Sequence, residues 1–112
     1  MEKIDLFLLR LGAKYESKSC RFLKLVLIAA LEYESAELPT LKHLQTIAAQ
    51  RIGNARESCI SRGISRAVLD IWNYGDREYL NKLYHRKLIE CPTPKSFICV
   101  AALHLKQSQN IH

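Results

Sequence analysis

Along this chain apolar side chains recur at three- and four-residue steps, the interval that collects them into one stripe of an α-helix, and no stretch makes a convincing strand. The stripe is clearest between Asn54 and Asn73, where Ile60, Ile64, Ala67, Val68 and Ile71 share a face and Ser58, Arg62, Ser65, Arg66 and Leu69 take the opposite one. A helix divided in this way turns the first set to a core and leaves the second free. The longest apolar periodicity lies upstream, from about Ser17 to Tyr33. It carries Phe22, Leu25, Val26, Ala29, Ala30 and Tyr33 on one face, with Lys18, Arg21 and Lys24 near its start. That stretch predicts the central packing helix.

Punctuating residues divide the rest. Ile4 to Leu11 reads as a short helix lidding the core, ended by Gly12, because glycine accepts the left-handed conformation that a helix C-terminus often needs. Glu34 to Pro39 breaks the pattern, and Thr40 is an N-cap for a short helix bearing Leu41, Leu44, Ile47 and Ala48. Ile52, Gly53 and Asn54 make a tight connection into the next helix, where Asn54 can cap the first turn and Glu57 can reach back to the Asn54 amide. Helix, short glycine-containing turn, helix is the pattern of a helix-turn-helix. Trp72 closes that helix, and Trp72 and Ile64 are both expected in the core. Gly75 and Asp76 then supply a stop and a fresh cap for a fifth helix with Tyr79, Leu80, Leu83 and Tyr84. Thr93 and Pro94 open a sixth, with Phe97, Ile98, Ala101, Ala102 and Leu105. The predicted fold is all-α: one six-helix domain over residues 1–112, its third and fourth helices forming a helix-turn-helix, with a tail from Gln107 to His112 that frays.

At 112 residues, 48% of them hydrophobic, the chain suits one domain that buries an ordinary core without staples. A net charge of +6 and a pI of about 9.3 favour polyanionic partners, nucleic acid before membrane surfaces. Asp5 and Arg10 interrupt the N-terminal apolar run, so it reads as neither signal peptide nor membrane span. Cys20, Cys59, Cys91 and Cys99 contain no CxxC pair and read as reduced thiols of a cytoplasmic protein.

Catalytic chemistry finds no footing in these residues. His43, His85, His104 and His112 are scattered away from metal-ligand spacings, so neither metal nor other cofactor is expected. Ser58, Ser61 and Ser65 line one helix without a base or an oxyanion hole, and no glycine-rich phosphate loop exists. Cys59, near a helix N-terminus and Arg56 or Arg62, is placed for a favoured thiolate, although a structural or semi-exposed thiol is the simpler reading. The expectation is a protein that is not an enzyme.

The free face of the 54–73 helix suggests something else. Arg51, Arg56, Arg62 and Arg66 are answered between residues 51 and 69 by a single acid, Glu57. A helix N-terminus offers unpaired N–H groups and partial positive charge to a phosphate, and guanidinium groups can fork onto a phosphate or a guanine edge. Arg56, Ser58, Cys59, Ser61, Arg62, Ser65 and Arg66 are thus the residues expected nearest double-stranded DNA. The competing reading of such a face is a plain solvated surface.

The order of residues resembles the C-terminal DNA-binding domain of stage zero sporulation protein A, the response regulator that commits endospore-forming bacteria to sporulation. The landmarks run from about Ile4 to Lys106: Leu11-Gly12, Lys18, Phe22-Leu23, Ile47-Ala48, Ser58, Arg62, Ile64, Ala67-Val68, Trp72, Gly75, Leu83-Tyr84, Pro92-Thr93, Phe97-Ile98, Ala102 and Leu105. The resemblance implies a transcription regulator whose fourth helix reads the major groove, with two domains pairing on tandem sites. It also implies that Tyr74 to Tyr84 is similar to the surface that meets the sigma factor of RNA polymerase. Departures accompany it. Where the family reads Ser-Arg-Val-Glu-Arg-x-Ile-Arg, this chain has Ser58-Cys59-Ile60-Ser61-Arg62-Gly63-Ile64-Ser65, and two residues are inserted near Ile52 to Asn54. Arg62 alone survives of the charged readers. No phosphoacceptor receiver domain precedes the fold, as in a domain cut from a longer chain or a stand-alone homologue that phosphorylation does not control. The alternative that these departures favour is a protein-interaction module that does not read DNA and acts on a sigma factor or a full-length homologue.

Overall fold

The computed structural model describes residues 3–33, 40–53 and 56–110, together with the side chains as far as residue 107. Six α-helices make up its regular structure: α1 (Lys3–Arg10), α2 (Lys18–Leu31), α3 (Leu41–Ile52), α4 (Glu57–Tyr74), α5 (Arg77–Tyr84) and α6 (Pro94–Asn110). The all-α class follows the sequence pattern, and no strand occurs among the described residues. The caps stand where their chemistry predicts. The side chains of Ser17, Thr40, Asp76 and Thr93 accept from the backbone N–H groups of Cys20, His43, Tyr79 and Ser96. Gly12 and Gly53 follow α1 and α3 with φ of 75° and 92°, a conformation that side chains with a Cβ resist.

The helix α2 is the hub, packed against α1, α3, α4 and α6. Contact on several sides explains why its buried set is wider than one stripe: Cys20, Leu23 and Leu27 join Phe22, Val26, Ala29 and Ala30, while Leu25 and Tyr33 are only half-buried. The lid role of α1 rests on Ile4, Phe7, Leu8 and Leu11 in the core, and on Asp5. This buried carboxylate accepts from the Tyr15 hydroxyl and pairs with Lys24 of α2 at 2.7 Å, so the charge that interrupts the apolar run is itself an anchor. At the far end of α2, Lys106 of α6 donates to the Tyr33 carbonyl (2.8 Å) and His43 of α3 meets the Tyr33 hydroxyl (2.8 Å).

Two glycines allow the approaches that fix α4. The Asp76 N–H donates to the Leu11 carbonyl at 2.9 Å, and a Cβ on Gly75 would overlap that carbonyl and lie 2.6 Å from that of Ile71. Gly63, buried on α4, faces the ring of Phe22, where an added Cβ would overlap Cδ2 and stand 3.3 Å from Cε2. We expect Gly63→Ala to destabilise the domain by about 1–3 kcal/mol through overpacking, although alanine is the better helix former. A thermal melt of that variant at or above the parental midpoint would show that α2 and α4 yield without cost.

Two expectations need correction. Helix α4 begins at Glu57, two residues later than a cap at Asn54 predicts. Arg56 occupies the N-cap in extended conformation (φ −86°, ψ 145°) with no side-chain bond to the first turn. Asn54 lies outside the described residues, and the Glu57 carboxylate accepts from the Thr46 hydroxyl of α3 at 2.9 Å. Trp72 is half-buried and packs against the core without being enclosed in it: the Arg77 guanidinium lies 3.4 Å from its ring centroid and donates to its carbonyl at 2.6 Å. Helix α6 runs as far as Asn110, and the end of the tail expected to fray lies outside the described residues.

Candidate nucleic-acid interface

The candidate surface is the outward face of α4, and its phase is set by burial on the other side. Ile60, Gly63, Ile64, Ala67, Val68 and Ile71 are buried, so helical geometry turns Ser58, Cys59, Arg62, Ser65, Arg66 and Leu69 outward, all of them exposed. Ser61 is half-buried at the edge, and Arg56 stands exposed at the N-cap. The seven residues singled out by the sequence thus lie along one helix, in a single band with one member at its margin.

Packing borders that band on both sides. On one, α3 closes against the helix start through the Thr46–Glu57 hydrogen bond. Thr46 Oγ1 also lies 3.0 Å from the Lys42 carbonyl one turn back on α3, an alternative acceptor for its single proton, and exposed Lys42 is thus on the same flank. On the other, the beginning of α2 lies against Gly63 through Phe22, and the Lys18 ammonium stands 5.8 Å from the Phe22 ring centroid. Further along that flank Asp70, 7% exposed, receives Arg66 at 3.3 Å and Lys14 at 4.0 Å. The Lys14 ammonium is also 4.8 Å from the centroid of the exposed Tyr74 ring.

The basic balance read from residues 51–69 alone is therefore altered by acids from outside that window. Arg51 forks onto Glu32 just past α2, with Nη1 to Oε1 at 2.7 Å, and this bond holds the Glu32 carboxyl below its usual range. Arg66 is paired with Asp70, one turn ahead on its own helix. Arg56 and Arg62 keep exposed guanidinium groups with no ion-pair partner among the described residues. Leu69, 43% exposed, gives the middle of the band an apolar patch.

What this arrangement can do chemically is bind. It presents two free forks for anionic or guanine acceptors, three hydroxyls and a thiol for short hydrogen bonds, and one aliphatic contact. Among the described residues no group of three or more His, Cys, Asp or Glu could hold a metal ion. The free cysteines are buried (Cys20), half-buried (Cys91) or exposed (Cys59 and Cys99), and burial raises the Cys20 and Cys91 thiols above their ordinary range. No helix among the described residues is long and apolar enough to cross a membrane. The Tyr74–Tyr84 stretch forms the end of α4 and all of α5, with Tyr74 strongly exposed and Tyr79 and Tyr84 half-buried.

No protein-family model, curated protein or solved structure matches this chain.

Proposed function

We propose that this domain is a non-catalytic, sequence-specific DNA-binding regulator of transcription, in which α3 and α4 act as a helix-turn-helix and α4 lies in the major groove. The observation that carries this reading is the free face of α4. A helix of about five turns, Glu57–Tyr74, is buried along one side, flanked by lysine-bearing elements on both edges, and tipped by two unpaired arginines, Arg56 and Arg62. Charge supports it, because a net +6 favours a polyanion over a basic or neutral partner. The ordered resemblance to the effector domain of the sporulation response regulator supports it too, and makes tandem pairing on DNA and contact with a sigma factor part of the proposal. So does a cytoplasmic setting, in keeping with four free thiols.

A second reading has an observation of its own. With Arg51 and Arg66 already paired and Leu69 exposed at the centre of the band, the face is less basic than its sequence suggests and suits a protein partner as well. Salt separates the two. Gel shifts of the domain on random duplexes at two salt concentrations are expected to weaken steeply as salt rises, since each neutralised phosphate releases counterions. Absence of any retarded species at the lower salt concentration removes the DNA reading in favour of the protein-interaction module.

A further inference from the structure

The free face of α4 has an unexplained border. A helix seated in the major groove has a phosphate backbone on each side, about 12 Å apart across the groove. The α3 flank, with Lys42, faces one of these in the helix-turn-helix reading. The opposite flank is built from residues outside that unit: Lys14 in the turn after α1, and Lys18 in the first turn of α2. We infer that Lys14 and Lys18 form a second row of contacts to the backbone phosphates of the duplex, on the edge of α4 away from α3. This inference rests on the reading of α4 as the groove helix and deepens it.

Three features carry it. The first is position. Phe22 packs on Gly63 and carries Lys18 at 5.8 Å from its ring, while Lys14 reaches Asp70 and Tyr74, so the two ammonium groups are staggered along α4. Gly63 and Asp70 are seven residues apart, roughly 10 Å of helix. That exceeds the ~3.4 Å axial step between phosphates of one strand, so each lysine meets a phosphate of its own. The second is charge. Asp70 is the acid within this flank, and Arg66 holds it more closely, at 3.3 Å against 4.0 Å for Lys14. Glu16 and Arg21, both exposed at the start of α2, offset one another, and the flank keeps an excess of positive charge. The third is access. Lys18 is exposed and the Lys14 side chain is 53% exposed, so both are open to solvent rather than turned into the core. Long, mobile ammonium side chains suit phosphate as point charges and carry little base information.

The test is the salt dependence of duplex affinity, by fluorescence anisotropy, for the parent and for a Lys14→Gln, Lys18→Gln double variant. A Lys87→Gln, Lys95→Gln variant serves as control, removing the same charge from residues that do not border this face. Loss of two phosphate contacts is expected to lower the log–log salt slope by about two, at about 0.9 per contact, while the preference for a selected site over random duplex stays within about twofold of the parent. The control is expected to leave the slope near the parental value. If the parent shows salt-dependent binding and Arg62→Ala abolishes its preference, yet the Lys14/Lys18 variant keeps the parental slope, the second row is refuted and the groove helix stands. A parent whose binding does not respond to salt overturns both.

Discussion

Replacing Ile64 with alanine is expected to destabilise the domain by about 2–5 kcal/mol, the range for truncating a large buried aliphatic side chain. Ile64 is wholly inaccessible at the centre of α4, in register with Ile60, Val68 and Ile71 and one residue from the Gly63–Phe22 contact that joins α4 to the hub helix. Few neighbours can relax into the space. Phe22 is already pressed on Gly63, and Leu23, Val26 and Leu27 are closed in by helices on several sides. The loss therefore combines transfer of the removed methylenes with an unfilled cavity. Urea unfolding measures it: a variant within ~0.5 kcal/mol of the parent would place the wrong side of α4 against the core.

The second large effect concerns recognition. Arg62 is exposed in the second turn of α4, directly outward from the buried side and free of the ion pairs that hold Arg51 and Arg66. In the proposed complex a guanidinium there would project into the groove, where a bidentate fork on guanine is typically worth ~1–3 kcal/mol of discrimination. Arg62→Ala is expected to reduce preference for a selected site by roughly 5- to 150-fold while changing affinity for random duplex little. Arg56 is a contrasting case. At the N-cap, with extended backbone, it stands at the end of the helix where phosphate is the nearer acceptor. Arg56→Ala is expected to weaken selected and random duplex alike and to lower the salt slope by about one. Circular dichroism must first show parental helicity in both. Equal loss on both duplexes for Arg62→Ala would reassign it to the backbone.

The two substitutions also mark how far residues alone reveal this molecule. Ile64 was legible because burial is periodic, and three of the helix starts because Thr40, Asp76 and Thr93 have no better use for their oxygens than the first turn. The start of α4 was not, because Arg56 takes the N-cap with no side-chain bond to mark it, and the Thr46 partner of Glu57 is supplied only by the packing of α3. Trp72 misled for a related reason. An indole is large enough to be taken for fully enclosed core, but with an arginine stacked on it this one stays half-buried at the core's margin. The candidate site was legible as a face and illegible as a charge balance. Glu32 and Asp70, which answer Arg51 and Arg66, lie outside the 51–69 window in sequence, and Lys14 and Lys18 join the site only through the Phe22 and Asp70 contacts.

Titration of the isotopically labelled domain with a short duplex, followed through backbone amide shifts, tests the central claim most directly. The account predicts that the largest shifts fall on Arg56–Leu69, with smaller ones at Lys42 on one flank and at Lys14 and Lys18 on the other, all diminishing as salt is raised. Shifts confined to α1, α5 and α6, with α4 unmoved at saturating duplex, would contradict it.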